Sequence, residues 1–347
     1  MIDDNETVAA VPPQPAEGPA RAVWTQLPAE APWCPPEWAE HLRAVAPAFV
    51  APEGDQGEES TASSIGDAAG WTLASVSRRG RLHAHRGEHR EDAAAMLAHP
   101  TGWCAAVADG AGSAEYSRIG AALAVHAATT ACTSSLRNSA SDSGPGAAIQ
   151  QSATMDTALR AAADAAQRTM ADFADRAGIA LRVLRTTLLV AVVHGDVLGV
   201  LHVGDGAVAF LHADGTATLP TQGHGGDFSG EVAHFLPDDG AHAQLVSSAT
   251  VSVASNVVGV LLATDGVEDP WYPMSRTAPA LFTQLANGVT DDNAAASGVT
   301  QPMRGPVLGA PDPLAGLGKW LRFEKRGEND DRTLCVAHRS ELAWPSA

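Results

Sequence analysis

The sequence predicts an α+β fold in which antiparallel sheets are covered by helices. Two alanine-rich segments, 116–136 and 149–177, carry apolar residues at helical spacing, which indicates two long helices. Short apolar runs of strand length lie on both sides of them. The runs at 187–194 and 197–203 flank a Gly-Asp turn, as the two strands of a hairpin do. Strict alternation of strand and helix is missing, which favours layered sheets and helices over a doubly wound parallel sheet.

Most of the chain after residue 70 divides into short strands separated by turns. The run at 103–108 is typical, because it is apolar, has the length of a strand and ends at an aspartate followed by small residues. A second hairpin is predicted around the Asp-Gly pair at 214–215, a helix at 279–286 and a long irregular insertion at 287–318. The predicted strands are 71–76, 92–97, 103–108, 187–194, 197–203, 208–212, 216–219, 251–263 and 333–338.

The first part of the chain has a different composition. Ten of the 22 prolines fall within residues 1–52, so regular structure is not expected there, apart from a short helix at 37–45. Its three tryptophans are predicted to pack onto the body of the protein, with a partner-binding peptide as the alternative. A polar linker is predicted at 54–67. We therefore expect an irregular extension and linker at 1–69, an ordered domain at 70–340 and a tail at 341–347.

Composition excludes several classes of function. The net charge of −18 argues against nonspecific nucleic-acid binding and against docking on anionic membranes. Cys34, Cys104, Cys132 and Cys335 form no Cys-x-x-Cys motif, which suits a reducing cytosol better than a disulfide framework or a zinc ribbon. The acidic start of the chain is unlike a signal peptide, and the apolar runs are too short to span a bilayer. We expect a cytoplasmic monomer.

Several aspartates stand at the ends of predicted strands. Asp109 follows WCAAVA, Asp205 follows GVLHVG, Asp265 follows GVLLAT, and Asp330 with Asp331 precedes RTLCVAH. Strands that pair in one sheet would bring these carboxylates to one edge, where they could not all stay ionised without a cation. Hard divalent cations, magnesium or manganese, prefer such oxygen ligands, and a pair of them can hold a water and a phosphate ester. The alternative for Asp109 is a turn residue that caps the following helix.

These acids stand in segments that together resemble the metal-dependent serine/threonine protein phosphatases of type 2C, in their bacterial form. Any one segment is weak, because Asp-Gly is among the commonest turn dipeptides. Six in the family's order, each in the expected strand or helix context, are specific. The segments are GEHREDAA (87–94), VADGAGSAEYSRIGA (107–121), TTLLVAVV (186–193), HVGDGAV (202–208), LLATDGVED (261–269) and DDRTLCVAH (330–338).

The resemblance covers about residues 71–338 and implies an architecture. It is a four-layer α-β-β-α sandwich of two antiparallel sheets flanked by helices, with a binuclear metal site at one end between the sheets. It also implies that Asp109 bridges both metals, that the Gly110 carbonyl is a further ligand, and that Asp265 and Asp330 complete the first site. Asp109, Asp265 and Asp330 would then be the catalytic acids.

Other acids take subsidiary roles by the same resemblance. Asp92, with Glu91 beside it, would hold the second metal, partly through water. Asp205 stands where the family has an acid for a third, weaker metal site, with a hairpin-turn residue as the alternative. For Asp331 we favour a role behind the ligands or in a turn.

The sequence departs from the family pattern at two positions. Ala111 stands where many eukaryotic members have a histidine that is offered as general acid. Bacterial relatives also lack this histidine, so water or another group must protonate the leaving group. Gly87 stands where the family has its phosphate-binding arginine. We predict that Arg86 takes this role, because a guanidinium can hold two phosphate oxygens, with His85 as the neighbouring candidate. The alternative for Arg86 is a solvated surface side chain.

The implied function is a manganese- or magnesium-dependent phosphatase with two ions, or three if Asp205 takes part. It would hydrolyse phosphoserine or phosphothreonine in proteins by direct attack of a metal-bridging water, without a phosphoenzyme. The partner would be a phosphorylated protein, for which a cognate serine/threonine kinase is a candidate. The loops at 223–226 and 228–237 would border the site and influence substrate choice.

Two other functions are weighed against this one. The first is a catalytically weak module with a phosphatase fold that binds phosphorylated partners, which the missing arginine favours and the retained acids oppose. The second is a zinc hydrolase that uses His83, His85 and His89, because His-x-His is a zinc-like spacing. Gly87 and Glu88 stand where such a motif needs aspartate and histidine, which makes this hypothesis the weakest. The sequence has neither a phosphate-binding P-loop nor a nucleophile elbow.

Overall fold

A computed structural model gives the fold of the chain. It describes residues 60–86, 88, 90–137, 147–221, 234–237, 247–252, 257–291, 293, 298–301 and 304–339. The predicted helix at 37–45, the tryptophans of the N-terminal extension, the tail at 341–347 and most of the loop region at 223–237 lie outside these residues. The predictions made for them therefore stay predictions.

The first sheet has six antiparallel strands. In spatial order they are β1 (Ser60–Ala68), β2 (Trp71–Arg78), β11 (Arg332–Arg339), β10 (Val257–Ala263), β7 (Ala207–His212) and β8 (Ala217–Thr218). The register pairs Ala263 with Leu334. The end of β10 and the start of β11 therefore lie at the same edge of the sheet.

The second sheet has five antiparallel strands. In spatial order they are β3 (Ala93–His99), β4 (Gly102–Ala108), β5 (Leu188–His194), β6 (Val197–Val203) and β9 (Ser247–Ser252). Ala93 pairs with Ala108, so the start of β3 and the end of β4 share an edge. Every residue of β4, β5 and β6 is buried. These strands are continuous apolar runs because both of their faces are covered.

The two sheets pack against each other through a shared apolar core. Trp71 of the first sheet and Trp103 of the second are fully buried and meet edge to face, with ring centroids 5.8 Å apart. Leu73, Leu189 and Val260 belong to the same cluster. This core fixes the two sheets face to face and so determines which strand ends lie close together.

Helices cover the outer face of each sheet. The helices are α1 (Arg81–Arg86), α2 (Ser117–Arg137), α3 (Ala147–Ala177), α4 (Asp265–Glu268), α5 (Met274–Asn287) and α6 (Pro313–Trp320). Helices α2 and α3 bury alanine-rich faces in one core with the second sheet. Helices α5 and α6 form another core with the first sheet, where Trp271 stacks on Trp320. The result is the predicted α-β-β-α sandwich, and the fold class is confirmed.

Helix α2 is long and apolar enough, by length and composition, to cross a membrane. Among the described residues it is the one helix that passes this test, and 72% of its apolar window is buried inside the protein. Its apolar residues are used in the core that it forms with α3 and the second sheet.

Two sequence predictions about strands were wrong. The predicted linker at 54–67 contains most of β1, which pairs antiparallel with β2. Its serines and threonines are compatible with an edge strand, where polar side chains are common. The single strand predicted at 251–263 is two strands, β9 and β10, which belong to different sheets. Periodicity does not locate such a crossover, because the β-branched and small residues of 251–263 fit one strand as well as two.

Two predictions about helices were also inaccurate. The helix predicted at 279–286 starts five residues earlier, at Met274, and contains Pro279 in its interior. Burial of Met274 and Ala278 in the outer core outweighs the cost of that proline. The insertion predicted to be irregular at 287–318 contains most of α6, whose first turn is capped by the Asp312 carboxylate accepting from the Ala315 amide.

Candidate metal centre

Asp109 directly follows β4, and the hydroxyl groups of two threonines fix its backbone. The Asp109 amide donates to Thr187 Oγ1 at 2.9 Å, and Thr186 Oγ1 donates to the Asp109 carbonyl at 2.7 Å. The Thr187 amide donates to the same carbonyl at 2.8 Å. The backbone of Asp109 is therefore held by the start of β5, which leaves its carboxyl group free to face the other acids.

Asp92 directly precedes β3 and is fully enclosed. Its Oδ2 accepts from Thr264 Oγ1 at 2.8 Å and from Thr333 Oγ1 at 2.7 Å. Its Oδ1 is buried and receives no hydrogen bond from a described residue. The carboxyl group of Asp109 lies next to that of Asp92. Two carboxyl groups face each other here, and only a shared proton or a cation can compensate their charge.

Asp265 and Asp330 come from the first sheet. Asp265 is the first residue of α4 and lies two residues after the end of β10, and Asp330 lies two residues before β11. Because these strands are antiparallel neighbours, both acids lie at the edge that also holds Thr264. Each sheet thus contributes two acids: Asp92 and Asp109 from the second, Asp265 and Asp330 from the first.

The raised pKa values of these groups have common causes, burial and one another's charge. Burial, followed by the charges of Asp265 and Asp92, raises the pKa of Asp109 well above its usual range. Burial and the charge of Asp205, then of Asp330 and Asp92, raise the pKa of Asp265 in the same way. The pKa of Asp92 is raised to about 7, chiefly by burial. The charges of Asp265, Asp92 and Asp330 all act on Asp109, so the acids of both sheets converge on this residue.

This arrangement fits hard divalent cations. The oxygens come from carboxylates, with the Gly110 carbonyl next to Asp109, and such oxygen-only donor sets suit magnesium or manganese. The buried Asp92 Oδ1 without a donor is the observation that tests the fit, because an isolated carboxylate oxygen is costly to bury. A cation at this place would compensate the charge and supply the missing partner.

Asp331 is buried behind these acids and connects three segments. Its Oδ1 accepts from the Gly80 amide at 2.5 Å, and its Oδ2 accepts from the Glu91 amide at 2.6 Å. His83 Nδ1 lies 2.9 Å from Oδ1. The two side chains form an ion pair that does not have the geometry of a hydrogen bond. The carboxylate thus fixes the loop before Asp92 and helix α1, in keeping with a role behind the ligands.

His83, Asp330 and Asp331 also form a compact group of potential ligands. One ligand atom of each lies within 4.8 Å of the other two. The interaction with Asp331 raises the pKa of His83 to about 9 against the opposing effect of burial, so the imidazole is positively charged at neutral pH. The imidazolium therefore already compensates part of the negative charge around Asp330.

Two glycines allow the backbone to pass close to the centre. A Cβ on Gly110 would lie 2.8 Å from Ser117 Cβ and 2.9 Å from the Glu91 carbonyl oxygen. A Cβ on Gly266 would lie 1.8 Å from the Asp331 carbonyl oxygen. The glycine of each Asp-Gly pair is therefore needed for packing around the acid that precedes it.

Asp205 lies in the turn between β6 and β7, at the side of the cluster. Burial and the charges of Asp269 and Asp330 raise its pKa to about 6. Its Oδ1 is buried without a hydrogen bond from the described part of the chain. It is thus electrostatically connected to Asp265 and Asp330, while it also belongs to a hairpin turn, so both interpretations of this residue stay open.

The basic residues before Glu91 are placed differently from expectation. The structure places the residues from Arg81 to Arg86 on helix α1. Arg86 is exposed on it, with Nη1 3.7 Å from Glu88 Oε2. His85 is exposed too, and Gly87 and His89 lie outside the described residues. Residues i and i+2 of a helix point to different sides, so His83 and His85 do not form the chelating pair that the zinc hypothesis needs.

Sequence reasoning missed the threonines of the site. Thr186, Thr187, Thr264 and Thr333 each place a hydroxyl group against an acid or its backbone. Each stands at the end of an apolar run, next to or near a predicted ligand. Only Thr264 is followed directly by an acid of the cluster, so the sequence carries no common signal that could have identified all four.

Comparison with known proteins assigns the family. A family model described as protein phosphatase 2C matches residues 79–300. A serine-threonine phosphatase 2C from Toxoplasma gondii has the same fold, with a TM-score of 0.52 at 13% identity over 81% of this chain and 99% of that one. No curated protein sequence matches the chain.

Bacterial phosphatases are among the other similar structures. The Mycobacterium tuberculosis serine/threonine phosphatase PstP/Ppp matches at 19% identity with a TM-score of 0.46, over 77% of this chain and 98% of that one. The catalytic domain of PstP in complex with two manganese ions matches at 21% identity with a TM-score of 0.44, over 77% and 97%. Because the family model covers well over half of its length, the chain belongs to the protein phosphatase 2C family and is a protein-serine/threonine phosphatase.

Proposed function

We propose that the chain is a manganese- or magnesium-dependent phosphatase that hydrolyses phosphoserine and phosphothreonine in proteins by direct attack of water, without a phosphoenzyme. The observation that supports this proposal is the meeting of Asp92 and Asp109 with Asp265 and Asp330, two acids from each sheet, around a buried carboxylate oxygen that lacks a donor. Such a cluster is costly to a fold unless cations compensate it.

The ligand roles follow from position. Asp109 lies between the acids of both sheets and suits a bridging ligand, with the Gly110 carbonyl beside it. Asp265 and Asp330 would complete one cation site, and Asp92 would hold the other. When bound, a pair of such cations would lower the pKa of a bound water and neutralise negative charge on the phosphate oxygens.

The surrounding residues position the ligands and hold protons. Thr264 and Thr333 donate to one oxygen of Asp92 and so turn the other oxygen towards Asp109. Asp331 fixes the backbone at Glu91 and holds His83 as an imidazolium. Ala111 offers no proton to the leaving group, so we assign that proton to solvent.

One observation favours the alternative of a phosphate-binding module with weak catalysis. Arg86 forms its ion pair with Glu88 and is exposed, so the position proposed for phosphate binding faces a carboxylate. The retained acids favour an active phosphatase over a phosphate-binding module. If the cluster no longer bound cations, replacing its acids by uncharged residues would stabilise the fold.

The deciding experiment is an assay of the purified full chain with an aryl phosphate and a phosphothreonine peptide. We expect turnover with manganese or magnesium, none after chelation, and restoration on adding the metal back. Asp109→Asn is the matched control, because it keeps the size and removes the charge. Binding of the phosphopeptide with no turnover under any metal would support the module instead, and activity with zinc alone would support the zinc hypothesis.

The location and the partner are proposed from the composition of the chain and from its proposed reaction. The acidic net charge supports a cytoplasmic protein, as do the three cysteines within the described residues, Cys104, Cys132 and Cys335, which are free and buried. We propose a monomer that acts on a phosphorylated protein, with a cognate serine/threonine kinase as the first candidate. Dephosphorylation of a purified kinase, measured by intact mass, tests the partner.

A further inference from the structure

A separate cavity lies beside the acid cluster. It has a volume of about 630 Å³ and is enclosed between the β7–β8 hairpin and the turn that joins α4 to α5. The hairpin side is formed by Asp205, Gly206, Thr218 and Thr221, and the turn side by Glu268, Tyr272 and Ser275. The ligand roles proposed above use Asp205 at most, so the rest of this cavity has no function yet.

The polar lining of this cavity is negative. Two carboxylates, Asp205 and Glu268, face it, and no lysine, arginine or histidine is among the described residues that line it. Burial and the neighbouring Asp269 raise the pKa of Glu268 to about 7. Of the two lysines in the sequence, neither lines the cavity, and the Lys325 ammonium donates to the Pro270 carbonyl. A cationic ligand would relieve this excess of negative charge.

The rim of the cavity carries an exposed aromatic ring. Tyr272 is 71% exposed, although the neighbouring Trp271 is fully buried. An exposed ring next to carboxylates is a favourable surface for a guanidinium or ammonium group, which can stack on the ring while it pairs with the acids. The Ser275 hydroxyl adds an acceptor for the N–H groups of such a ligand, whereas the hydroxyls of Thr218 and Thr221 are already hydrogen-bonded to His212 and His202.

The cavity adjoins the metal centre through Asp205. The carboxyl of Asp205 lines the cavity, and Asp205 lies two residues before Ala207, which pairs with Ala263 just before Asp265. An extended peptide advances about 3.3 Å per residue, so a side chain within three positions of the phosphorylated residue can reach a neighbouring cavity. The cavity therefore lies where a substrate peptide would pass.

We propose that this cavity binds a basic side chain, arginine or lysine, that lies within three residues of the phosphorylated residue in the substrate. The carboxylate of Glu268 would pair with the cationic head, the Tyr272 ring would cover its apolar stem, and Asp205 would add negative charge at the side of the metal centre. This proposal rests on the proposed function and narrows its substrates to phosphoproteins with basic residues near the site.

The test compares two phosphothreonine peptides that differ only in arginine or glutamine at the flanking positions. The readout is the ratio of their kcat/KM values, which cancels any general loss of activity in a variant. We expect the native chain to prefer the arginine peptide by about tenfold, the effect of one good charge-assisted contact. Glu268→Gln should bring the ratio to about 2 or less, whereas Tyr272→Ala should lower it and Tyr272→Phe should keep it.

Asp196→Asn is the matched control for charge. It removes one exposed acid in the turn between β5 and β6, outside the cavity lining. It should keep the native ratio. If Asp196→Asn lowers the ratio as much as Glu268→Gln does, the preference comes from the net charge of the chain and the proposal is wrong.

The remaining outcomes separate this proposal from the proposed function. A native ratio near 1 with metal-dependent turnover of an aryl phosphate overturns the cavity and leaves the phosphatase intact. Glu268→Gln could instead keep the preference for the arginine peptide and change the manganese concentration needed for activity. That result would make the cavity a metal-ion site and would also overturn the proposal. If no substrate turns over, the proposed function fails, and fluorescence anisotropy of the same two labelled peptides on the full chain still decides whether Glu268 selects arginine.

Discussion

His83 Nδ1 lies 2.9 Å from Asp331 Oδ1, and this ion pair fixes helix α1 to the strand that follows the metal centre. The same carboxylate accepts from the amides of Gly80 and Glu91. One buried side chain therefore holds together the segment before Asp92 and the segment after Asp330, although about 240 residues separate them in sequence.

The ion pair makes stability depend on pH. The pKa of His83 is raised from 6.5 to about 9, so its contribution is fully present below pH 6.5 and is lost as the pH rises through about 9. We expect the Tm of the metal-free chain to fall by about 3 °C between pH 7 and pH 9.5 on account of this group. His83→Gln should remove this part of the pH dependence. If the Tm of His83→Gln falls by the same amount over this pH range, the pH dependence comes from another group.

Asp109→Asn should abolish catalysis and keep the fold. Turnover of an aryl phosphate should fall by about 10³-fold or more, because the carboxylate between the two sites is lost. Since its neighbours and burial raise the pKa of Asp109, the charged form destabilises the metal-free fold. The variant should therefore unfold at a higher temperature than the native chain without metal and gain less from added manganese. Full activity in the variant would contradict the proposed centre.

The threonines that donate to Asp92 should affect metal affinity. Thr264→Val and Thr333→Val each remove one donor to Oδ2 and should weaken manganese binding by about tenfold, as loss of an outer hydrogen bond does in other metal sites. Titration calorimetry measures this effect without an activity assay. Thr157→Val is the control, because it removes a hydroxyl group from the exposed side of α3. This variant should bind manganese with the native affinity. Equal affinity in all three variants would rule out this positioning role.

Gly266 should tolerate no side chain. Gly266→Ala places a Cβ where the Asp331 carbonyl oxygen lies 1.8 Å away, so the α4 backbone must shift. We expect the free energy of unfolding to fall by about 3 kcal/mol. Gly318→Ala is the matched control inside α6, where the nearest atom to a Cβ lies at 4.0 Å. It should be neutral or stabilising by about 1 kcal/mol. Chemical denaturation measures both, and equal stabilities would contradict the packing at Gly266.

Arg86 is tested by kinetics. Arg86→Ala should raise KM for a phosphopeptide about tenfold with a smaller effect on kcat, if the guanidinium moves from Glu88 to the phosphate when substrate binds. Arg86→Lys should restore part of the loss, since it keeps the charge but not the two-pronged geometry. An unchanged KM in Arg86→Ala would leave Arg86 as a surface residue paired with Glu88.

The sequence predicted the fold class and the strand ends well because both depend on local patterns. Apolar runs such as the one before Asp109 define buried strands, and the aspartates mark where each strand leaves the core. What it did not predict depends on contacts distant in sequence. Nothing local shows that β9 and β10 belong to different sheets, or that Asp331 holds His83. The threonines at strand ends have the same pattern as ordinary turn residues, and only the fold shows what they donate to.

The division of the four acids between the sheets has a mechanical consequence. Asp92 and Asp109 belong to one sheet and Asp265 and Asp330 to the other, so a cation bound among them cross-links two layers that are otherwise joined at this end by packing and side-chain contacts. Loading the centre should therefore slow amide hydrogen exchange at the ends of β4 and β10 together. The rigidity of this end of the molecule would then depend on the concentration of free divalent metal ions around it.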